Sequence, residues 1–313
     1  MRVIIKNCDE FYNTFKYVET MNTEVKIQCN GQMVWLQVSN MSCTAIAEVK
    51  FPAEYFEEYV CESEVTVGIH VKTFLSILKN TYKKKNVTLK MQASTAVDYM
   101  LITVTQILDD EKQIECAYQM KLVNMVSAFL DIPYQPVHSV YKLSPGTLKK
   151  WKAFLFGECK FLNFTPKEDA LMLESETDMK HKLKLTDEIS SETWVEEAEF
   201  TLESGTTETV ARAWKTISVG YANAKLIFDL LTFNKDVNVQ FFIQTAPVKC
   251  SIKLEEGVNI EVFIAPRIGD DDDDEEEEEE EVVPVRAKKR KTVDEESDEI
   301  EELVQQKKAM TAH

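Results

Sequence analysis

Glycine is scarce in this chain. Only eight occur in 313 residues, none spaced as GxGxxG or GxxxxGK[ST], which excludes the backbone cradles that hold nucleotide phosphates. The four histidines (His70, His138, His181, His313) stand apart from cysteines and from carboxylates at metal-ligand spacing, so no metal or other cofactor is expected. The seven cysteines form no CxxC pair. Cys29, Cys61, Cys116 and Cys250 sit on apolar strand-like runs, the pattern of reduced structural thiols in a nuclear or cytosolic protein. No apolar run approaches membrane-spanning length, and MRVIIKNCDEFYNTF meets charge before any signal-like core develops. Paired acids such as Glu57-Glu58 and Glu196-Glu197 read as solvated faces. Nothing resembles a catalytic constellation, and the sequence argues against an enzyme.

What is present is a pattern repeated. Short apolar-alternating strands are expected at Met1–Ile5, Val25–Cys29, Met33–Val38, Ala45–Phe51, Val65–Gly68, Val87–Met91, Tyr99–Thr105 and Ile114–Leu122. Two helices interrupt them, one with Phe11, Phe15 and Val18 as its buried stripe and one with Val71, Phe74 and Leu78. The order then recurs. Strands are expected at Val140–Leu143, Cys159–Phe164, Ala170–Glu174, His181–Leu185, Trp194–Leu202, Thr209–Thr216, Val237–Ile243, Val248–Leu254 and Ile260–Ile264. Ser144-Pro145 caps a third helix with stripe Leu148, Trp151, Leu155. A fourth spans about Ser218–Leu231, burying Leu226 and Leu230. The fold class is α+β, duplicated, with two amphipathic helices per half packed on antiparallel sheets.

Between the halves, within the stretch Tyr118 to Leu143, lies an apolar connector carrying Met125, Phe129, Leu130 and Ile132, with Pro133 and Pro136 holding their predecessors extended. A connector this long is usually functional, and its apolar content places it against something. The boundaries read as a first domain over 1–120, a connector over 121–137, a second domain over 138–268 and a tail over 269–313. The tail holds five Asp (270–274), seven Glu (275–281) and a basic cluster. Its composition is that of a disordered, solvated segment. Much of the chain's net charge of −18 resides there rather than in the fold. Lys288, Lys289, Arg290 and Lys291 fit a nuclear-import signal.

Against that acidic background the helices carry lysine. Lys72 and Lys79 lie opposite the apolar stripe of the second helix, followed by Lys83, Lys84 and Lys85. The third carries Lys149, Lys150 and Lys152, the fourth Lys225, and the first Lys16 among acids. Clustered lysine without arginine forks or evident base-stacking aromatics is the footprint of sequence-blind binding to duplex phosphates.

The segments YQMKL, LDIPYQ and VYKLSPG around the connector, WLQVSNMSCTAIAEVKF and VTVGIHVKTFLSILKN in the first half, and VFIAPRI at the end of the body resemble sliding clamps of the proliferating cell nuclear antigen (PCNA) family. The resemblance covers roughly residues 1–268. It implies a head-to-tail homotrimeric ring of six similar domains, helices lining the hole around double-stranded DNA. Such a ring tethers DNA polymerase, clamp loader and other proteins bearing clamp-binding peptides. It also implies a partner-peptide pocket at Ser39, Ile46, Leu130, Ile132, Pro247, Phe263 and Ala265, and a subunit interface at Tyr118, Leu183 and Leu185. The chain departs from the family at Ser39, where a methionine is usual, and at the connector, usually acidic where Val126-Ser127-Ala128-Phe129 stands. The long acidic tail points to a divergent member, such as one from a large DNA virus. The competing readings are a monomeric DNA-binding processivity factor, a subunit of a heteromeric checkpoint clamp, and a histone-binding protein acting through the tail.

Overall fold

The computed structural model describes residues 1–267 apart from 6, 95–96, 109–111, 126–128, 133–134, 155–158, 177–179, 186–190, 196, 202–206, 212–214 and 244–246. Leu155, Pro133, the tail and its basic cluster therefore lie outside the described residues. The first half runs β1 (Arg2–Ile5), α1 (Cys8–Glu19), β2 (Glu24–Cys29), β3 (Met33–Ser39), β4 (Ala45–Pro52), β5 (Glu58–Val60), β6 (Val65–His70), α2 (Val71–Leu78), β7 (Val87–Gln92), β8 (Tyr99–Ile107) and β9 (Gln113–Lys121). The second runs β10 (Val137–Leu143), α3 (Pro145–Phe154), β11 (Phe161–Lys167), β12 (Ala170–Glu176), β13 (Lys180–Leu185) and β14 (Ser191–Trp194). It continues with β15 (Glu197–Thr201), β16 (Thr207–Ala211), β17 (Ile217–Gly220), α4 (Tyr221–Asp229), β18 (Val237–Phe242), β19 (Val248–Lys253) and β20 (Asn259–Ile264).

The pairing shows the duplication directly. The first half makes one sheet in the order β5-β1-β7-β8-β9, and the second repeats it as β14-β10-β18-β19-β20. The strands β4-β3-β2-β6 are likewise repeated as β13-β12-β11-β17. Only the hairpin β15–β16 has no counterpart among the described residues. The halves are fused by antiparallel pairing of β20 with β4, which joins two sheets into one of nine strands. That joint is apolar on its inner side, where Ile260, Val262, Ala47 and Val49 are fully buried.

The helices form one layer over the sheets. Asn7 caps α1 by accepting from the Glu10 amide (3.2 Å), and Ser144 caps α3 by accepting from the Thr147 amide (3.1 Å). His70 takes the same role for α2, its Nδ1 accepting from Thr73 N at 3.4 Å. Phe11 and Phe15 of α1 meet Phe74 of α2 edge-on, at 6.2 and 4.7 Å between ring centroids. Across the midline the Tyr17 hydroxyl donates to the Leu226 carbonyl of α4 (3.3 Å) and its ring meets Phe233. The helices thus touch in the order α2, α1, α4, α3.

Several sequence expectations are corrected. Ser218–Gly220 is strand, because Leu162 pairs with Val219 and Phe164 with Ile217; the helix begins only at Tyr221. The expected strand Trp194–Leu202 is two strands, interrupted near Val195. Glu58–Val60, too short to show alternation, pairs with β1. The strand expected to start at Cys159 begins at Phe161, and the one after the connector starts at Val137 rather than Val140. Cys116 is exposed on β9, an edge, whereas Cys29 and Cys250 are buried.

Where the halves meet, Glu10 of α1 faces Glu255 and Glu256 in the β19–β20 turn. Burial, followed by these two carboxylates, raises its pKa to about 7; a hydrogen bond from the Glu255 backbone and the charge of Lys235 oppose the shift. A raised carboxyl pKa adds stability below its ordinary value of 4.5, and that stability is lost as pH rises towards about 7. Glu10→Gln should therefore melt higher than the parent above neutrality, the difference shrinking as the solution is acidified. Calorimetry across that range checks it.

Candidate partner cleft and basic helical face

Alternation places two chemistries on opposite sides of the nine-stranded sheet. Along β3, Val34, Leu36 and Val38 point into the core, so Met33, Trp35, Gln37 and Ser39 face outward. On the same outer face lie Ile46, Glu48 and Lys50 of β4, Glu261 and Phe263 of β20, and Lys249 of β19. The connector crosses this face. Its path starts where the Val123 amide donates to Gly68 O (2.8 Å). A Cβ on Gly68 would fall 2.3 Å from Val123 O and 2.7 Å from Met125 Cγ, so only glycine permits the crossing.

Beyond it, Phe129 stacks on Trp35 (4.4 Å, 22°), and Lys26 Nζ lies 5.0 Å from the Phe129 ring centroid. The Gln37 carboxamide clips Leu130: Oε1 accepts from its amide (2.7 Å) and Nε2 donates to its carbonyl (2.8 Å). Gln37 acts here as a strand would, satisfying both backbone groups of an extended residue. It is fixed in turn by Nε2 donating to Glu48 Oε1 (2.9 Å), and Glu48 pairs with Lys50 (3.2 Å).

The result is an open cleft of about 920 Å³ under the connector, lined among others by Trp35, Phe129, Leu130, Ile132, Phe242 and Phe263. An ion pair, Lys249–Glu261 (2.6 Å), sits in its floor, with Lys249 Nζ 5.4 Å over the Phe263 ring. Leu130 is 55% exposed at the rim. Of the expected pocket residues, Leu130, Ile132 and Phe263 come together here. Ile46 lies opposite Phe263 in the β4–β20 register, and Ser39 opposite Ile46, but neither lines the cleft. Pro247 and Ala265 are outside the lining too. The sequence reading named Phe129 only as an apolar connector residue and missed Trp35 and Gln37. A tryptophan on the polar face of an alternating strand was the available signal.

On the opposite side, Lys16, Lys72, Lys79, Lys83, Lys84, Lys85, Lys149, Lys150, Lys152 and Lys225 are all exposed on or beside the helix layer. Lys16 is drawn to Glu19 (2.6 Å). Tyr118 is on β9, its hydroxyl accepting from Asn80 Nδ2 (3.1 Å). Leu183 and Leu185 are on β13. Both strands are sheet edges among the described residues.

A duplicated pair of sheets fused through β20 and β4, with helices on one face and a connector over the other, defines a DNA-clamp fold. Comparison with known proteins agrees. Residues 9–129 match the model of the proliferating cell nuclear antigen N-terminal domain. Proliferating cell nuclear antigen 2 of Plasmodium falciparum is 20% identical, over 83% of this chain and 96% of that protein. The crystal structure of the Entamoeba histolytica proliferating cellular nuclear antigen superposes with a TM-score of 0.69 at 16% identity, covering 85% of this chain and 98% of its own. A PCNA2–PCNA3 complex from Sulfolobus tokodaii gives 0.65 at 18% identity, covering 85% and 99%. The first half thus resembles the N-terminal domain of the proliferating cell nuclear antigen family, and the body has the fold of these sliding clamps.

Proposed function

We propose that copies of this chain close head to tail into a homotrimeric ring that encircles duplex DNA, and that the ring tethers DNA polymerase and other replication factors through the cleft. The observation that carries this reading is the internal joint. In the duplicated scheme β9 occupies the place of β20, and β13 the place of β4. The chain satisfies β20 and β4 with each other and leaves their counterparts as edges. Unpaired edge strands recruit another chain, and a head-to-tail joint repeated by rotation closes a ring. Each joint between copies would then copy the joint inside a copy, and helices would face the hole throughout.

The exposed lysines are the DNA-facing groups in this reading, making loose, sequence-blind phosphate contacts. The cleft receives the clamp-binding peptides of polymerase and clamp loader, and the place of work is the nucleus. Light scattering of the purified chain tests the assembly: three times the chain mass supports the ring, and a monomer overturns it. Replacing Lys79, Lys150 and Lys225 together by alanine should lower processivity severalfold in primer extension while leaving the molar mass unchanged. Full activity in that variant would remove DNA from the helical face.

The PCNA2–PCNA3 complex among the structural relatives motivates a second reading, a ring built with different clamp chains. A chain monomeric alone that gains mass only when mixed with another clamp subunit would favour it.

A further inference from the structure

The helical face holds an aromatic pair as well as lysines. Tyr12, on the flank of the exposed stripe of α1, stacks on Tyr82 in the turn after α2, with ring centroids 4.4 Å apart and planes at 25°. Lys83 Nζ lies 5.1 Å over the Tyr82 ring, and Lys79 is one helical turn before it. Lys16 is one turn beyond Tyr12 on α1, with its ammonium paired to Glu19 (2.6 Å). The turn is drawn onto α1 by the Lys83 amide donating to Asp9 Oδ1 (2.6 Å). Asp9 keeps its charge while anchoring the turn through this backbone donor. Both tyrosines are partly buried, Tyr12 against the edge of the core, and among the described residues neither hydroxyl makes a hydrogen bond within the protein.

Packing alone would be served by phenylalanine. Two phenols without a hydrogen-bond partner, held side by side near Lys79 and Lys83, are donors placed where positive charge gathers. We propose that Tyr12 and Tyr82 form a neutral contact site for the DNA sugar-phosphate backbone. Their hydroxyls donate to phosphate oxygens while the stacked rings lie along the deoxyribose edge. This rests on the reading that the helical face meets DNA, and it explains how α1, poor in basic residues, takes part. The site fits a phosphodiester strand of any sequence, because tyrosine hydroxyls serve as backbone donors without reading bases.

Neutral and charged contacts differ in a measurable way. A lysine that neutralises a phosphate releases a counterion, and its loss flattens the plot of log affinity against log salt by about 0.9 per contact. A phenol releases none. The experiment is fluorescence anisotropy of a fluorescein-labelled duplex with the full chain over a range of salt. The variants compared are Tyr12→Phe/Tyr82→Phe, Tyr12→Ala/Tyr82→Ala and the Lys79, Lys150, Lys225 triple alanine. The double phenylalanine variant should melt like the parent, since the stack survives, and bind roughly three- to tenfold more weakly with an unchanged salt slope. The lysine variant should lose both affinity and slope. If the phenylalanine variant binds like the parent while the alanine variant weakens, the pair is packing and the proposal is overturned. A flattened slope in the phenylalanine variant also overturns it, because the effect then runs through displaced lysines. Loss of effect in the lysine variant instead sinks the DNA reading itself.

Discussion

Leu183→Cys is expected to link neighbouring copies covalently through the native Cys116, giving ring-sized species on a non-reducing gel after mild copper-phenanthroline oxidation. The register follows from the duplication. In the first half, Val3, Met91, Ile102 and Tyr118 are successive cross-strand partners; in the second, Tyr141, Val239, Cys250 and Val262 are. Tyr118 therefore holds the place of Val262, and Cys116 that of Ile260. In the other sheets, Ile27, Leu36 and Val49 correspond to Phe164, Leu173 and Leu183. Inside the chain Ile260 faces Val49 and Val262 faces Ala47. Between chains Cys116 should then face Leu183, and Tyr118 should face His181.

Directly opposed residues of antiparallel strands have Cβ atoms about 4.5–5.5 Å apart, near the roughly 3.5–4.5 Å a disulfide needs. Cysteine at Lys182, one position off, projects to the other face of the sheet and should cross-link on the order of tenfold less. Cys116→Ser should abolish the ladder. Tyr118→Ala, which removes the largest side chain on that edge, should shift the assembly towards monomer. Equal cross-linking at 182 and 183, or none at either, counts against a joint of this register.

The second large effect concerns the cleft. Leu130→Ala and Ile132→Ala should each weaken a clamp-binding peptide by about ten- to a hundredfold, since fully burying one such side chain contributes roughly 1.5–3 kcal/mol. The free rim of Leu130 provides surface still to be buried. Its backbone clip to Gln37 holds it in place, so little ordering entropy opposes binding. Ser39→Met should tighten the same peptide by extending the outward row Ile46–Phe263 with one more apolar side chain. Isothermal titration with a clamp-binding peptide measures all three, and light scattering checks that the molar mass is unchanged. Normal binding by both connector variants would reduce the connector to a tether.

Much of this was written in the sequence. Alternation at Val34, Leu36 and Val38 fixed which side of β3 is core, because a strand has only two faces. Phe11, Phe15, Phe74 and Trp151 fell at helical spacing, and Ser144-Pro145 announced α3, since capping is local chemistry. The lysines' exposure followed from the same periodicity. What the sequence could not reach depends on contacts between distant segments. The strand at Ile217–Gly220 exists because β11 offers it a ladder, and nothing local distinguishes it from a first helical turn. That Gln37 would grip Leu130, or Trp35 receive Phe129, needs the connector's path, which Gly68 decides by the side chain it lacks. Likewise Tyr12 and Tyr82 become a pair only when Asp9 draws the turn after α2 onto α1. Local periodicity determined the elements and their faces; the tertiary structure alone decided which faces meet, because hydrogen bonds and side-chain contacts across 70 to 90 residues leave no periodic trace.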